Sequence, residues 1–187
     1  MPPARHPYGV GVMRWYVRFV LEAATSLRAA SRVLEVLQGW LPGVEHAPAA
    51  NTGPWWLLRL GLYELQRPKE EAADWVWLVD HTIQIGQVKC LLIVAVRSSV
   101  WEGEGRGPLE HQDLTVLVLE PMRQSTGPQV QVQLERAVAQ TGEPRAILSD
   151  AGTDLKKALA GFREQHPEVA ELSDIKHKMA LLVKAEL

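Results

Sequence analysis

The chain has 187 residues, of which 47% are hydrophobic and 22% charged, and its formal net charge is −2. A chain of this length buries a substantial core, and its composition is that of a globular protein, which excludes a mainly disordered or fibrous one. The single cysteine, Cys90, excludes an internal disulfide and is expected to be a small buried hydrophobe in a reducing compartment. With one cysteine and scattered histidines, no zinc-ligand spacing is present.

Charge is distributed unevenly along the chain. Residues 1–69 carry eight Lys and Arg against four Asp and Glu, a net charge of +4, whereas residues 70–187 carry twelve against eighteen, a net of −6. A basic head is compatible with DNA contact, and an acidic body is compatible with a metal site that collects carboxylates. The apolar stretch Val10 to Leu21 is interrupted by Arg14 and Arg18, so we expect a soluble cytoplasmic protein without membrane association.

The first third of the chain predicts three helices. Apolar residues recur at three- and four-residue steps from Val10 to Ala24, which is typical of an amphipathic helix. A Thr-Ser pair then caps a second helix that ends before Pro42, and a proline opens a third, Trp55 to Leu65. The polar segment 66–71 marks a domain boundary, giving a helical head over residues 1–69 and a second domain over residues 70–187.

Three short helices with Arg28, Arg32 and Arg59 available make a DNA-binding, helix-turn-helix-like head possible. The alternative is that the three helices form an ordinary core or a dimer interface. The third helix favours that alternative, because it is apolar nearly all round. Both interpretations stay open.

The rest of the chain alternates strands and helices. Apolar runs predict β-structure over Trp75 to Asp80, Thr82 to Ile85 and Lys89 to Arg97, with Gly86-Gln87 as a hairpin turn, and Leu114 to Leu119 as a third strand. The later predicted elements are a helix around Leu134 that ends near Gly142, a strand Ala146 to Asp150, a helix Thr153 to Glu164, a strand Glu171 to Asp174 and a helix Ile175 to Leu187. The order is β-β-β-α-β-α-β-α, which predicts an α/β fold with a mixed sheet.

Two of these strands end on an aspartate. Asp80 closes the run that begins at Trp75, and Asp150 closes the run that begins at Ala146. A desolvated charge without a partner is costly, so such acids are usually hydrogen-bonded, paired or bound to a metal. If the fourth strand docks beside the first, the two carboxylates lie together and can share Mg²⁺ ions, a pair of which stabilises the attacking and leaving oxygens of phosphoryl transfer.

Three motifs carry a resemblance to a known family: Val79-Asp80-His81-Thr82, Leu148-Ser149-Asp150-Ala151-Gly152-Thr153-Asp154 and Asp174-Ile175-Lys176-His177-Lys178. They resemble those of DDE transposases of bacterial insertion sequences, and the order of elements resembles the ribonuclease H-like fold. The resemblance implies metal-dependent DNA strand cleavage and transfer with Mg²⁺ or Mn²⁺, DNA as partner, a nucleoid-associated location and self-association. It implies Asp80 and Asp150 as the first two catalytic acids and metal ligands.

The third acid of that family is a glutamate on a helix after the fifth strand. Glu186 is the candidate that the spacing offers, although the Asp174 motif resembles subfamilies in which the glutamate lies much farther along. The resemblance therefore also implies a catalytic domain that is incomplete at its C-terminal end. In that case the alternative function is an inactive transposase fragment that only binds DNA or self-associates.

Several polar residues near these acids have two interpretations. Lys176, His177 and Lys178 either hold DNA phosphates or begin a solvated helix, and His81 either assists the site or is simply satisfied at its strand. Asp154 is expected to serve the start of the following helix, where acids are favoured. Small α/β phosphotransferases also place an aspartate after a first strand, but they continue into a helix, whereas Asp80 leads into a hairpin.

Overall fold

A computed structural model of the protein describes residues 7–100, 102, 108–150 and 152–173. The chain divides into two compact units between Gln66 and Arg67. In the described ranges, no helix is long and apolar enough to cross a membrane.

The first unit contains three helices, α1 (Val10–Leu21), α2 (Leu27–Val36) and α3 (Gly53–Gln66). α1 ends three residues before the expected Ala24, because Ala24 has a left-handed φ of 50° that is incompatible with a helix. Ser26 then caps α2 by accepting a hydrogen bond from the Ala29 backbone N–H. The turn between α1 and α2 is short, whereas residues 37–52 separate α2 from α3. The helix-turn-helix assignment stays a prediction.

The core of this unit is built around Tyr16 of α1. Its ring is fully buried, lies edge-on to Trp56 of α3 at 5.5 Å between ring centroids, and its hydroxyl donates to the Leu27 carbonyl at 3.0 Å. Buried residues from α1 and α2 complete the cluster, among them Val12, Ala30 and Leu34.

The second unit is α/β. Its elements are β1 (Trp75–Ile85), β2 (Val88–Arg97), β3 (Thr115–Met122), α4 (Gly127–Thr141), β4 (Ala146–Ser149), α5 (Thr153–Gln165) and β5 (Ala170–Ser173). The five strands form one sheet in the order β3-β2-β1-β4-β5. β1 pairs with β2, and β2 with β3, in antiparallel fashion, while β4 is parallel to both β1 and β5. The mixed sheet and the docking of the fourth strand beside the first are confirmed.

The main core lies between one face of the sheet and the two helices α4 and α5. Trp77 of β1 and Phe162 of α5 are fully buried there, and so are Leu91, Ile93 and Leu134. A smaller cluster covers part of the opposite face, with Val76, Val96 and Ala146 buried. The period-two alternation of β1, β2 and β4 therefore divides their side chains between a helix-covered face and a second face.

The prediction that the first strand closes at Asp80 was wrong. β1 continues to Ile85, because its antiparallel ladder with β2 extends to the pair Ile85 and Val88 around the Gly86 turn. Cys90 was expected to be buried and is only half-buried. The final predicted helix, Ile175 to Leu187, lies outside the described residues.

Candidate active site at the sheet edge

Asp80 lies within β1, and Asp150 is the first residue after the neighbouring strand β4. The parallel register pairs Val79 with Ser149, so the next residue on each chain segment is one of the two aspartates. Paired strands lie about 4.8 Å apart. The sheet thus brings together the two acids that the sequence placed at strand ends.

Both acids belong to the second face of the sheet. Val79 and Ile147 lie in the helix-covered core, whereas Val76 and Ala146 lie in the opposite cluster. Strict alternation along β1 then assigns Asp80 to the second face, and the same alternation, extended one residue past β4, assigns Asp150 to it.

The environment of Asp80 differs from the one expected. Asp80 is exposed, and it makes no side-chain hydrogen bond or ion pair with any residue that the structure describes. The argument from desolvation was therefore wrong for Asp80, because water reaches its carboxylate.

Asp150 is held by a local turn. It is half-buried, and its Oδ1 accepts a hydrogen bond from the Gly152 backbone N–H at 3.0 Å. Its other carboxylate oxygen is not engaged by any group in the described ranges. Two carboxylates with uncommitted oxygens are a donor set that suits Mg²⁺ or Mn²⁺, which prefer hard oxygen ligands and keep several waters.

A third protein ligand is not found within the described ranges, where no group of three or more His, Cys, Asp or Glu is arranged to hold a metal ion. Glu186, the predicted third acid, lies outside those ranges. The predicted DNA contacts Lys176, His177 and Lys178 lie outside them as well.

Sequence reasoning considered His81 and Asp154 one at a time but missed the polar cluster that they form with Ser125. His81 of β1 lies on the helix-covered side, with Nε2 at 2.8 Å from Ser125 Oγ and 3.6 Å from Asp154 Oδ2. Ser125 is in the loop between β3 and α4, and Asp154 is in the first turn of α5. The Ser125 hydroxyl also hydrogen-bonds the Asp154 carboxylate. This geometry fits a hydroxyl that donates to the carboxylate and accepts from the imidazole N–H.

Asp154 is ionised in this cluster. Burial raises the pKa of Asp154, but hydrogen bonds from Ser125 and from the backbone N–H groups of Asp154 and Leu155, together with the charge of His81, outweigh burial and lower it. The expected role at the helix start is thus present, and the contact with β1 is additional. The cluster is not a Ser-His-Asp hydrolase triad, because serine and aspartate contact the same ring nitrogen instead of opposite ones.

The predicted DNA-contacting arginines of the first unit lie in two different places. Arg28 and Arg32 are exposed, one turn apart on α2, and line a hollow with Glu35 and Gln38. Arg59 is exposed on α3 and lines a separate apolar groove with Arg14 of α1. The structure therefore does not assemble the three residues into one basic patch.

Comparisons with known proteins identify no family. No protein-family model and no curated protein sequence matches the chain. Among solved structures, two forms of the HTLV-2 integrase catalytic core domain in complex with magnesium resemble it, each with a TM-score of 0.37. The trimeric form has 15% identity over 57% of this chain and 63% of that chain, and the dimeric form has 14% identity over 59% and 67%.

A simian T-cell lymphotropic virus intasome in complex with a PP2A regulatory subunit also resembles the chain, with 14% identity, a TM-score of 0.37 and coverage of 86% of this chain and 52% of that one. The aligned region thus spans less than two thirds of the first integrase core and about half of the intasome chain. At these values the likeness carries no argument about residues or activity.

Proposed function

We propose that the second unit is a ribonuclease H-like domain of the integrase and transposase type that cleaves and joins DNA strands with Mg²⁺ or Mn²⁺. The observation that carries the proposal is the register of β1 and β4, in which Asp80 and Asp150 follow a paired Val79 and Ser149. An antiparallel meander followed by parallel strands at the other side of β1 is the topology on which the sequence resemblance depends.

Asp80 and Asp150 are the residues that would hold the metal. A divalent ion bound there would supply a hydroxide nucleophile at neutral pH and charge stabilisation at the phosphorus being attacked. Asp80 is open to solvent, which leaves room for a phosphodiester, and Asp150 presents one uncommitted oxygen beside it. Glu186 remains the proposed third acid.

We assign the first unit to DNA contact, with Arg28 and Arg32 as its primary phosphate-binding pair, because they are exposed on one face of α2. Arg59, Lys176, His177 and Lys178 are secondary candidates. The bacterial insertion-sequence type, self-association and action at the nucleoid are parts of the same proposal. They rest on the sequence motifs.

The second candidate function is an inactive transposase-like fragment that binds DNA or associates with itself. The observation that favours it is the pair of acids without a third ligand in the described part of the chain. It predicts DNA binding that is independent of divalent metal and insensitive to loss of either aspartate.

The two candidates are separated by nicking of supercoiled DNA in Mg²⁺ and in Mn²⁺. The purified full chain is compared with Asp80→Asn, Asp150→Asn and a control, Glu164→Gln, which removes an exposed carboxylate at the far end of α5. Activity should fall on the order of 100-fold or more in the two aspartate variants and stay unchanged in the control. A folded wild-type chain that does not nick DNA would refute the enzymatic proposal, and metal-independent binding would then support the second candidate.

A further inference from the structure

We propose that His81, Ser125 and Asp154 form a positioning cluster that fixes where Asp150 lies relative to Asp80. The inference rests on the proposed function, since it concerns the metal site that the two aspartates would form. None of the three residues is proposed to touch metal or DNA.

The two aspartates are anchored very differently. Asp80 lies within β1 and pairs with Leu92 of β2, so the sheet itself fixes its backbone. Asp150 lies one residue beyond β4, where the parallel ladder has stopped at Ser149. The position of its carboxylate therefore depends on the turn between β4 and α5 and on the contacts that fix that turn.

Gly152 connects Asp150 to α5. Asp150 Oδ1 accepts from the Gly152 N–H, and a β-carbon built on Gly152 would lie 3.5 Å from that oxygen and 3.2 Å from Asp154 Oδ1. Gly152 is the N-cap of α5, and its carbonyl accepts the Lys156 N–H at 2.8 Å, so a shift of the first turn of α5, which carries Asp154, would also move the residue to which Asp150 is bonded.

The cluster connects this turn to β1 at the level of the site. Asp154 contacts His81, the residue next to Asp80, and both contact Ser125 in the loop after β3. The His81 and Asp154 side chains are only 15% and 23% exposed, so water competes weakly for their contacts. Three segments that are far apart in sequence are thereby joined beside the two aspartates.

Metal affinity is the property that distinguishes positioning from general stability. It is measured as the rise in Tm of the full chain during Mn²⁺ and Mg²⁺ titrations, which reports binding whether or not DNA is cut. Ser125→Ala removes the hydroxyl that contacts His81 and Asp154, and Asp154→Asn removes the charge of the carboxylate that contacts His81 and Ser125. Thr126→Ala is the matched control, because it deletes an exposed hydroxyl from the adjacent loop residue, and Ser125→Thr restores a hydroxyl at the tested position.

Removing Ser125 or Asp154 should raise the metal concentration for the half-maximal Tm shift about tenfold, as loss of supporting contacts around metal ligands does. Thr126→Ala and Ser125→Thr should behave like the wild type. A Tm in EDTA that falls while the metal dependence is unchanged would show a merely structural cluster and overturn the inference alone. A wild-type chain whose Tm does not respond to either metal would overturn both the inference and the proposed metal site.

Discussion

The end of α5 contains a histidine whose charge should make stability depend on pH. His166 is 11% exposed, stacks on Phe162 at 4.2 Å between ring centroids, and lies 2.8 Å from Glu143 and 3.2 Å from Glu135 through its two ring nitrogens. Burial lowers the pKa of His166, but the hydrogen bonds and charges of Glu143 and Glu135 outweigh it and raise the pKa above its ordinary value.

The direction of that shift fixes the sign of the effect. Because the folded state binds the proton more tightly than the unfolded state, the contribution is fully present below the unfolded pKa of about 6.5 and is lost as pH rises through the higher folded pKa. The two glutamates are 55% and 38% exposed, so solvent screens both pairs. We therefore expect about 1 kcal/mol in total, or about 4 °C in Tm.

The measurement compares the wild type with the double variant Glu135→Gln/Glu143→Gln in thermal unfolding from pH 6 to pH 9 at constant ionic strength. The wild type should be the more stable by about 1 kcal/mol at pH 6, and the difference should shrink above neutral pH. Glu164→Gln, which changes an exposed glutamate two residues before His166, should show no such pH dependence. Parallel wild-type and double-variant profiles would refute the assignment of a charged His166.

Three further substitutions test the packing and the site. Gly53→Ala places a β-carbon 1.9 Å from the buried ring of Tyr16 and should lower the free energy of unfolding in urea by about 1–3 kcal/mol. Gly61→Ala in the same helix meets no atom within 4 Å and should raise it by about 0.5–1 kcal/mol. Equal effects of the two substitutions would contradict this packing. Ser149→Ala should leave Tm unchanged or raise it, because the buried hydroxyl has no hydrogen-bond partner among the described residues, and a clear loss would reveal one. Asp80→Asn should change stability in EDTA by less than about 0.5 kcal/mol while abolishing metal-induced stabilisation; a larger loss would mean that Asp80 is structural.

Most of the fold of the second unit follows from local signals in the sequence. Apolar runs marked β1 to β4, although β1 was predicted as two segments, and the Gly86-Gln87 pair marked the hairpin between the first two strands. The strand-helix alternation after β3 predicted that the later strands would be parallel, whereas the docking of β4 beside β1 was a condition that the sequence left open. The helical head was predictable as three helices, but the early end of α1 was not, since it depends on the backbone conformation of one alanine.

The candidate site was predictable in part. The two aspartates were found because each interrupts an apolar run, although the expected desolvation does not hold for Asp80. The cluster of His81, Ser125 and Asp154 was missed because no local pattern links residues so far apart in the chain. The carboxyl ends of β3 and β4 meet the same sheet edge as Asp80, and that topology is the signal that could have pointed to Ser125 and Asp154.

The core and the proposed metal site of the second unit lie on opposite faces of the sheet. Trp77, Phe162 and their neighbours stabilise the helix-covered face, whereas Asp80 is exposed and belongs to the opposite face. Like charges on neighbouring strands repel each other, so the pair Asp80 and Asp150 contributes nothing favourable to folding until a cation binds. Metal binding would be the reason to keep such a pair despite its cost in stability. The response of Tm to Mn²⁺ measures that binding directly.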